Sequence, residues 1–391
     1  PRPATLLANV CLDSSEREPD MESIDLAALT QWVLWSSFAA SFLFGALAQR
    51  THFCTMGAIS DVVNMGDWTR ARQWMLAIGV AMVGFALLSG RADIDPGKTL
   101  YASTRLIWLS ALTGGLMFGF GMVLASGCGN KTLVRVGSGN LKSLVVMGVM
   151  GVSAFATLKG ITGVMRVSTV DRVALEMPQG ASLGGLLQGL VSTPAATLQL
   201  LLGVCLGVAL VVTLLSNRDM RRPENVLAGA GAGALVVVMW WVSGSLGHVA
   251  EHPETLEEVY LTTNSGRIES LSFVAPVAYL LDWLMFFSDK SKVLSLGIVS
   301  VLGVISGSFV MSRLDGSFRW EGFGSVEDLG NHLVGAVLMG VGGVTAMGCT
   351  VGQGLSGIST LSLNAVIALA SIIAGAVLAL RYQIWRLERQ L

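Results

Sequence analysis

The sequence predicts an all-α integral membrane protein, a polytopic helical bundle, and three observations carry that reading. Of its 391 residues, 52% are hydrophobic and 13% charged, against about 25% charged in soluble domains. Charge-free runs long enough to cross a hydrocarbon core of about 30 Å recur along the chain. The 47 glycines suit helices packed backbone to backbone, where small residues permit close approach. Nothing alternates over segments of about ten residues as barrel strands do. The net charge of −1 gives no electrostatic reason for a nucleic-acid partner.

The elements follow in order. Residues 1–25 form a polar tail, opening on Pro1, which reads as a tail or expression remnant; it lacks the basic and apolar regions of a signal peptide. Between Asp25 and Arg50 lie 24 uncharged residues, enough for one crossing. Comparable runs separate Arg72 from Arg91, Arg105 from Lys131, Glu224 from Glu251, and Lys292 from Arg313. Another occupies 195–216, after Pro194. From Leu329 to Leu380 there are 52 uncharged residues, room for two crossings. The run between Lys142 and Lys159 has only 16, which suggests shielding by protein. Pro276 and Asp282 interrupt 271–287 and suggest a broken or re-entrant piece. The total is about nine crossings of about 20 residues each. Three arginines in 217–224, and Arg381, Arg386 and Arg389 near the C-terminus, place both segments in the cytoplasm. The loop 248–270, with five acidic residues and one arginine, belongs on the other side. The expected location is the cell inner membrane.

An internal match organises the chain. Residues 114–128 read GGLMFGFGMVLASGC and residues 335–349 read GAVLMGVGGVTAMGC. Gly114, Gly119, Gly121, Gly127 and Cys128 answer Gly335, Gly340, Gly342, Gly348 and Cys349. A pair of helix-packing stripes would explain the glycines alone. Each Gly-Cys, however, is followed by a polar, glycine-rich stretch and then another apolar run. Two membrane repeats are read at 26–160 and 271–385, with connecting helices and loops at 161–270 and a cytoplasmic tail at 386–391. The repeats are expected to be inverted, with broken helices meeting near the midplane. Gly45 to Arg50 loosely echoes Gly307 to Arg313, so inversion predicts Arg50 and Arg313 on opposite sides. A helix starting just past each cysteine would aim its N–H groups and positive dipole end at a central path suited to a small anion.

The residues Gln49-Arg-Thr-His-Phe-Cys-Thr-Met-Gly-Ala58, the Gly-Cys at 127–128 and Gly348-Cys-Thr-Val-Gly-Gln-Gly354 resemble the three signature regions of the YeeE/YedE family of membrane proteins. The resemblance runs from about residue 30 to residue 380; the stretch Gly129-Asn-Lys131 and the segment 160–194 depart from it. It implies an inverted-repeat helical protein that imports thiosulfate, with relatives linked to other sulfur or selenium compounds. It also implies that three cysteines along a central path contact the substrate; Cys54, Cys128 and Cys349 match them. A cytoplasmic sulfur-carrier partner of the TusA type is implied in the same way.

The chemistry of the residues agrees. Thiosulfate is a small dianion with a soft terminal sulfur. A buried neutral thiol can offer it a weak S–H hydrogen bond without the repulsion of a thiolate. Weak contacts in series allow release, as conduction requires. Arg50, four residues before Cys54, and Lys131, three after Cys128, are candidates to gather the anion, each within one helical turn of its cysteine. Either could instead be an interfacial snorkelling residue. Gln353 is a candidate polar contact, or a partner for broken-helix backbone. His52 reads as interfacial and Cys205 as packing; Cys11 lies in the tail. His248-Val-Ala-Glu-His252 fits a short zinc-peptidase pattern, but Pro253 follows and the required helix is missing, so no metal and no cofactor are expected. An enzyme reading, a membrane sulfurtransferase forming a cysteine persulfide, would need an activated thiol beside a base. The residues also permit transport of a selenium or other sulfur compound, or a non-transporting anchor for a sulfur-metabolic complex.

Overall fold

The computed structural model describes residues 26–188, 194–253 and 255–389, which leaves the polar tail and Cys11 outside the described residues. The chain opens with α1 (Leu26–Thr51), short α2 (Thr55–Met65) and α3 (Thr69–Gly90). A loop carrying a 3-10 turn (Pro96–Lys98) and β1 (Arg105–Leu106) leads to α4 (Trp108–Leu124), short α5 (Gly129–Gly137) and α6 (Leu141–Lys159). Then come α7 (Ile161–Ser168), β2 (Leu175–Glu176), paired antiparallel with β1, and α8 (Leu183–Gln188). Next are α9 (Ala195–Leu215) and α10 (Pro223–Trp241), the latter widened at its end into a π-turn over Val242–Leu246. A small hairpin of β3 (His248–Val249) and β4 (Val259–Tyr260) precedes α11 (Val274–Met285), α12 (Leu296–Leu314) and α13 (Val326–Thr345). A π-turn (Gly352–Gly357) and α14 (Leu363–Glu388) close the chain.

Helix starts obey side-chain capping. Asn140, Ser295 and Ser325 accept the N–H groups of Ser143, Ile298 and Asp328, satisfying donors the first turn leaves open. Pro223 occupies the first turn of α10, where its missing N–H costs nothing. Among the described residues, eight helical segments are long and apolar enough to cross a membrane. Two of them, Leu26–Met65 and Trp108–Gly137, are bent pairs (α1 with α2, α4 with α5). The 20-residue α13 falls outside the eight, its first turns carrying Glu327, Asp328, Asn331 and His332. The interrupted stretch 271–287 forms the 12-residue α11.

α4 and α13 form the centre, crossing antiparallel with backbones in contact. A methyl group at Gly114 would collide with the backbone of Ala346, and one at Gly335 with that of Ala125. The same trade fixes the next layer. Gly119 lets α4 meet the Ile372 carbonyl of α14, and Gly340 lets α13 meet the Met150 carbonyl of α6. With no hydrophobic drive between helices in lipid, this contact and its dispersion energy hold them together.

Outside this core, α1 and α12 run side by side in the same direction. Gly303 packs on Phe38, Gly307 on Phe42, and Gln49 Nε2 donates to Ser317 Oγ at 3.2 Å. α3 and α10 pair likewise, Gly229 against Gln73 and Gly233 against Ala77. This corrects the expectation for Arg50 and Arg313. Both stand in the last turn of parallel neighbours and lie at the same end of the bundle. The echo between their segments reflects two glycine-bearing helices that pack together.

Each end of the bundle has its own polar stitching. One joins Lys142 to Asp328 (2.8 Å), Arg386 to Glu327 (2.7 Å) and Asn140 to Glu321 (2.7 Å). The other centres on Glu258, which takes the Lys98 ammonium (2.6 Å) and His248 Nε2 (2.7 Å). Lys98 first, then His248, hold the Glu258 carboxyl down to about 2. His248 therefore sits on a strand, with its ring nitrogen on a carboxylate. Cys205, expected to pack, is exposed on the outer face of α9.

Candidate functional site

Three helices break in the same way just before a buried cysteine. His52 (φ 52°), Ser126 (φ 57°) and Met347 (φ 58°) take left-handed backbone two residues ahead of Cys54, Cys128 and Cys349. They are three of seven non-glycine residues at positive φ among the described residues, so the cysteines attract a conformation that L-residues avoid. The following N–H groups reach back to the carbonyl five residues earlier: Phe53 to Ala48 (3.2 Å), Gly127 to Met122 (2.8 Å) and Gly348 to Gly343 (2.8 Å). Such a hook is how helices satisfy their last carbonyls before turning away. Holding a non-glycine residue there costs about 1 kcal/mol or more, a strain commonly kept at functional positions.

Each cysteine then starts a new helical turn as its N-cap. The carbonyls of Cys54, Cys128 and Cys349 accept the N–H groups of Ala58 (3.0 Å), Thr132 (2.9 Å) and Gln353 (2.7 Å). The sulfurs of Cys54 and Cys349 accept N–H groups three residues on, from Gly57 (3.4 Å) and Gly352 (3.4 Å); the Lys131 N–H lies near the Cys128 sulfur without a cap bond to it. Serine or aspartate is usual at this position; here a thiol does the same task at Cys54 and Cys349.

The three turns converge. Cys54 and Cys128 are in side-chain contact, and the Thr55 N–H and the Thr350 side chain lie near the Cys128 sulfur, the hydroxyl making no hydrogen bond to it. The N–H groups of Phe273 and Val351 face Cys349. Since Phe273 is the N-cap of α11, four segment N-termini gather around the cysteines, each contributing a partial positive charge. Cys128 and Cys349 are completely buried and Cys54 nearly so. Immediately after them, Thr55 Oγ1, both amide atoms of Asn130, Thr350 Oγ1 and Gln353 Oε1 are buried with no hydrogen-bond partner. Buried polar atoms left open in this way call for a ligand or water.

Gly127 and Gly348 form the hooks beside Cys128 and Cys349. Lys131 occupies the first turn of α5, half-buried, within electrostatic reach of Cys54, Cys128 and Arg70. Gln353 is wholly buried, and its Nε2 donates to Ala346 O at 2.5 Å, capping the end of α13 across the break. Arg135 does this for the other break, donating to Ser126 O at 2.7 Å. Arg50 differs from expectation. α1 ends at Thr51, so Arg50 and Cys54 do not share a helical turn, and Arg50 is exposed. Arg70 stands closer, against Gly57 and paired with Asp61 at 3.3 Å. On the opposite side, a cavity of about 380 Å3 reaches Met347 and Gly348 at its base.

The family model described as Sulphur transport matches residues 50–378, covering all three cysteine turns. The chain belongs to that family. Two relatives span most of it. Thiosulfate transporter TsuA of Escherichia coli (strain K12) is 27% identical over 357 residues, 88% of this chain and 92% of the relative. Thiosulfate transporter TsuA of Spirochaeta thermophila is 25% identical over 356 residues, 88% and 97%. Probable transporter YedE of E. coli is 29% identical over 117 residues, 30% of this chain and 27% of that protein. A multi-pass membrane protein of a transport family is thus what the helices and the comparisons agree on.

Sequence reasoning missed Phe273, Arg70 and Arg135. Phe273 turns its N–H toward Cys349 at the start of α11, and nothing in Ser272-Phe273-Val274 signals that place. Arg135 follows Cys128 by seven residues and Gln353 follows Cys349 by four, so their shared capping task leaves no alignable mark.

Proposed function

We propose that the protein imports thiosulfate, or a closely related sulfur oxyanion, into the cytoplasm without changing it chemically. The observation that carries this reading is the gathering of four segment N-termini and three thiols around buried polar atoms that lack partners. Helix N-termini compensate a dianion, and thiols offer its terminal sulfur a soft, weak contact. Cys349, Cys128 and Cys54 are read as successive stations, with Gly127, Gly348, Lys131 and Gln353 shaping them and Arg70 and Lys131 drawing the anion onward. Arg50, exposed at the helix end, is read as a contributor to the inner-side potential. The positive-inside rule applied to the arginines of 217–224 and of α14 supports reading that end as cytoplasmic and the Glu258 end as outer, in an inner-membrane protein. A cytoplasmic sulfur carrier of the TusA type would receive the sulfur.

Two inverted repeats account for the reciprocal contacts of Gly114 with Ala346 and Gly335 with Ala125. We read them at 26–159 and 223–388, with α1, α2, α3, α4 and α6 answering α10, α11, α12, α13 and α14 and the turn after Cys349 answering α5, which would start the second at Pro223 where the sequence alone suggests residue 271. Cys54 then answers Phe273. The deciding experiment is uptake of radiolabelled thiosulfate by proteoliposomes containing the purified protein. Accumulation that unlabelled thiosulfate competes away, and sulfate does not, supports the reading; no uptake under any imposed gradient overturns it.

A further inference from the structure

The cavity above Met347 and Gly348 holds a carboxyl group that anion handling does not explain. Its lining includes three charged side chains, Arg166, Asp171 and Glu269, together with the Tyr279 phenol. Arg166 and Asp171 neutralise one another at 3.0 Å, and the Ser110 hydroxyl holds Asp171 at 2.5 Å. Glu269, in the extended segment between β4 and α11, accepts the Ser265 N–H at 2.9 Å and has no basic partner among the described residues. Arg267, on the same segment, turns away and donates to Ala102 O at 2.7 Å. From the neighbouring elements Tyr101 and Tyr279 face Glu269 without charge, and Asp282 further along α11 is paired with Lys292 at 2.6 Å. The lining therefore carries one net negative charge when Glu269 is ionised and none when it is protonated.

An ionised carboxylate at the mouth of a path for a dianion repels the substrate. Burial pushes the Glu269 carboxyl above the usual carboxylate range, which favours its neutral form. We propose that Glu269 is a proton-binding site that licenses anion entry: the cavity admits a sulfur dianion when a proton occupies Glu269. The inference rests on the transport reading. By linkage, anion binding must then tighten proton binding to the same extent.

The test uses proteoliposomes at fixed internal pH and clamped potential, with labelled thiosulfate below saturation and external pH varied from 5 to 8. Wild-type uptake falls as pH rises, by up to about tenfold per unit above the titration of the group. Glu269→Gln removes the slope, while Glu269→Asp keeps it, which separates the proton from any structural role. Purified wild type in weak buffer also takes up a proton when thiosulfate is added, and Glu269→Gln does not. A wild type that transports with no pH slope in this range, or a slope that survives in Glu269→Gln, overturns the proton site alone. A wild type that moves no thiosulfate at any pH overturns the transport reading with it.

Discussion

The guanidinium of Arg135 donates to the carbonyl oxygen of Ser126 at 2.7 Å, closing the break between α4 and α5 from nine residues away. Ser126 is one of the three left-handed residues, so the bond holds the turn on which Cys128 is presented. Arg135→Ala should cost about 1–3 kcal/mol by leaving that carbonyl open. The expected result is a lower unfolding midpoint in detergent, with Arg135→Gln between it and wild type. An unchanged midpoint for the alanine variant would show that the cap carries no weight.

Cys128→Ala and Cys349→Ala should each reduce thiosulfate uptake at least tenfold, about 1.4 kcal/mol in transition free energy, while leaving insertion intact. Serine should rescue little, because a hydroxyl makes a harder partner for the terminal sulfur. Near-normal uptake by a well-expressed double variant rules out the thiol stations. Intact-mass analysis after turnover tests the sulfurtransferase reading, which requires a persulfide on one of these cysteines.

Single cysteines placed at Arg50 and Arg313 should react with a membrane-impermeant reagent from the same side. The parallel run of α1 and α12, tied by Gln49 and Ser317, demands it. Labelling from opposite sides would contradict the packing.

Gly119→Leu and Gly340→Leu should each destabilise the fold by about 1–3 kcal/mol or more, since the added side chain meets a carbonyl of the adjoining helix. Reduced yield of monodisperse protein from detergent is the measurement. Gly322, with open space around it, is the control and should tolerate alanine.

Acid should weaken the Glu258 cluster in a defined window. Its carboxyl is held down to about 2 in the folded protein, below the ordinary value near 4.3. The stabilisation is thus present above about pH 4 and is lost as pH falls toward about 2. The difference in melting temperature between wild type and Glu258→Gln should shrink over that interval.

The parts of the fold legible in the sequence are those that repeat or exclude charge. Gly114 to Cys128 and Gly335 to Cys349 align because backbone contact demands glycine at the same spacing in both. The apolar runs mark the crossings because lipid tolerates few charges. Arg50 is misplaced by spacing alone, which presumes a helix continuing to Cys54. The left-handed residue that ends it is a histidine, with no glycine to advertise the turn. The parallel pairing of α1 with α12 is hidden because packing between distant segments leaves the same glycine signature as a repeat. Phe273 is invisible because it contributes a backbone N–H, which no side chain advertises.

The capping role of the thiols has a consequence for how an anion would pass. At rest the Cys54 and Cys349 sulfurs each accept an N–H group. We expect an arriving anion to take over that N–H while the thiol rotates to give its own hydrogen to the incoming sulfur. One acceptor is exchanged for another at each station, and the donor is never left bare. Passage then resembles a change of partners at nearly constant bond count, which flattens the barriers between stations.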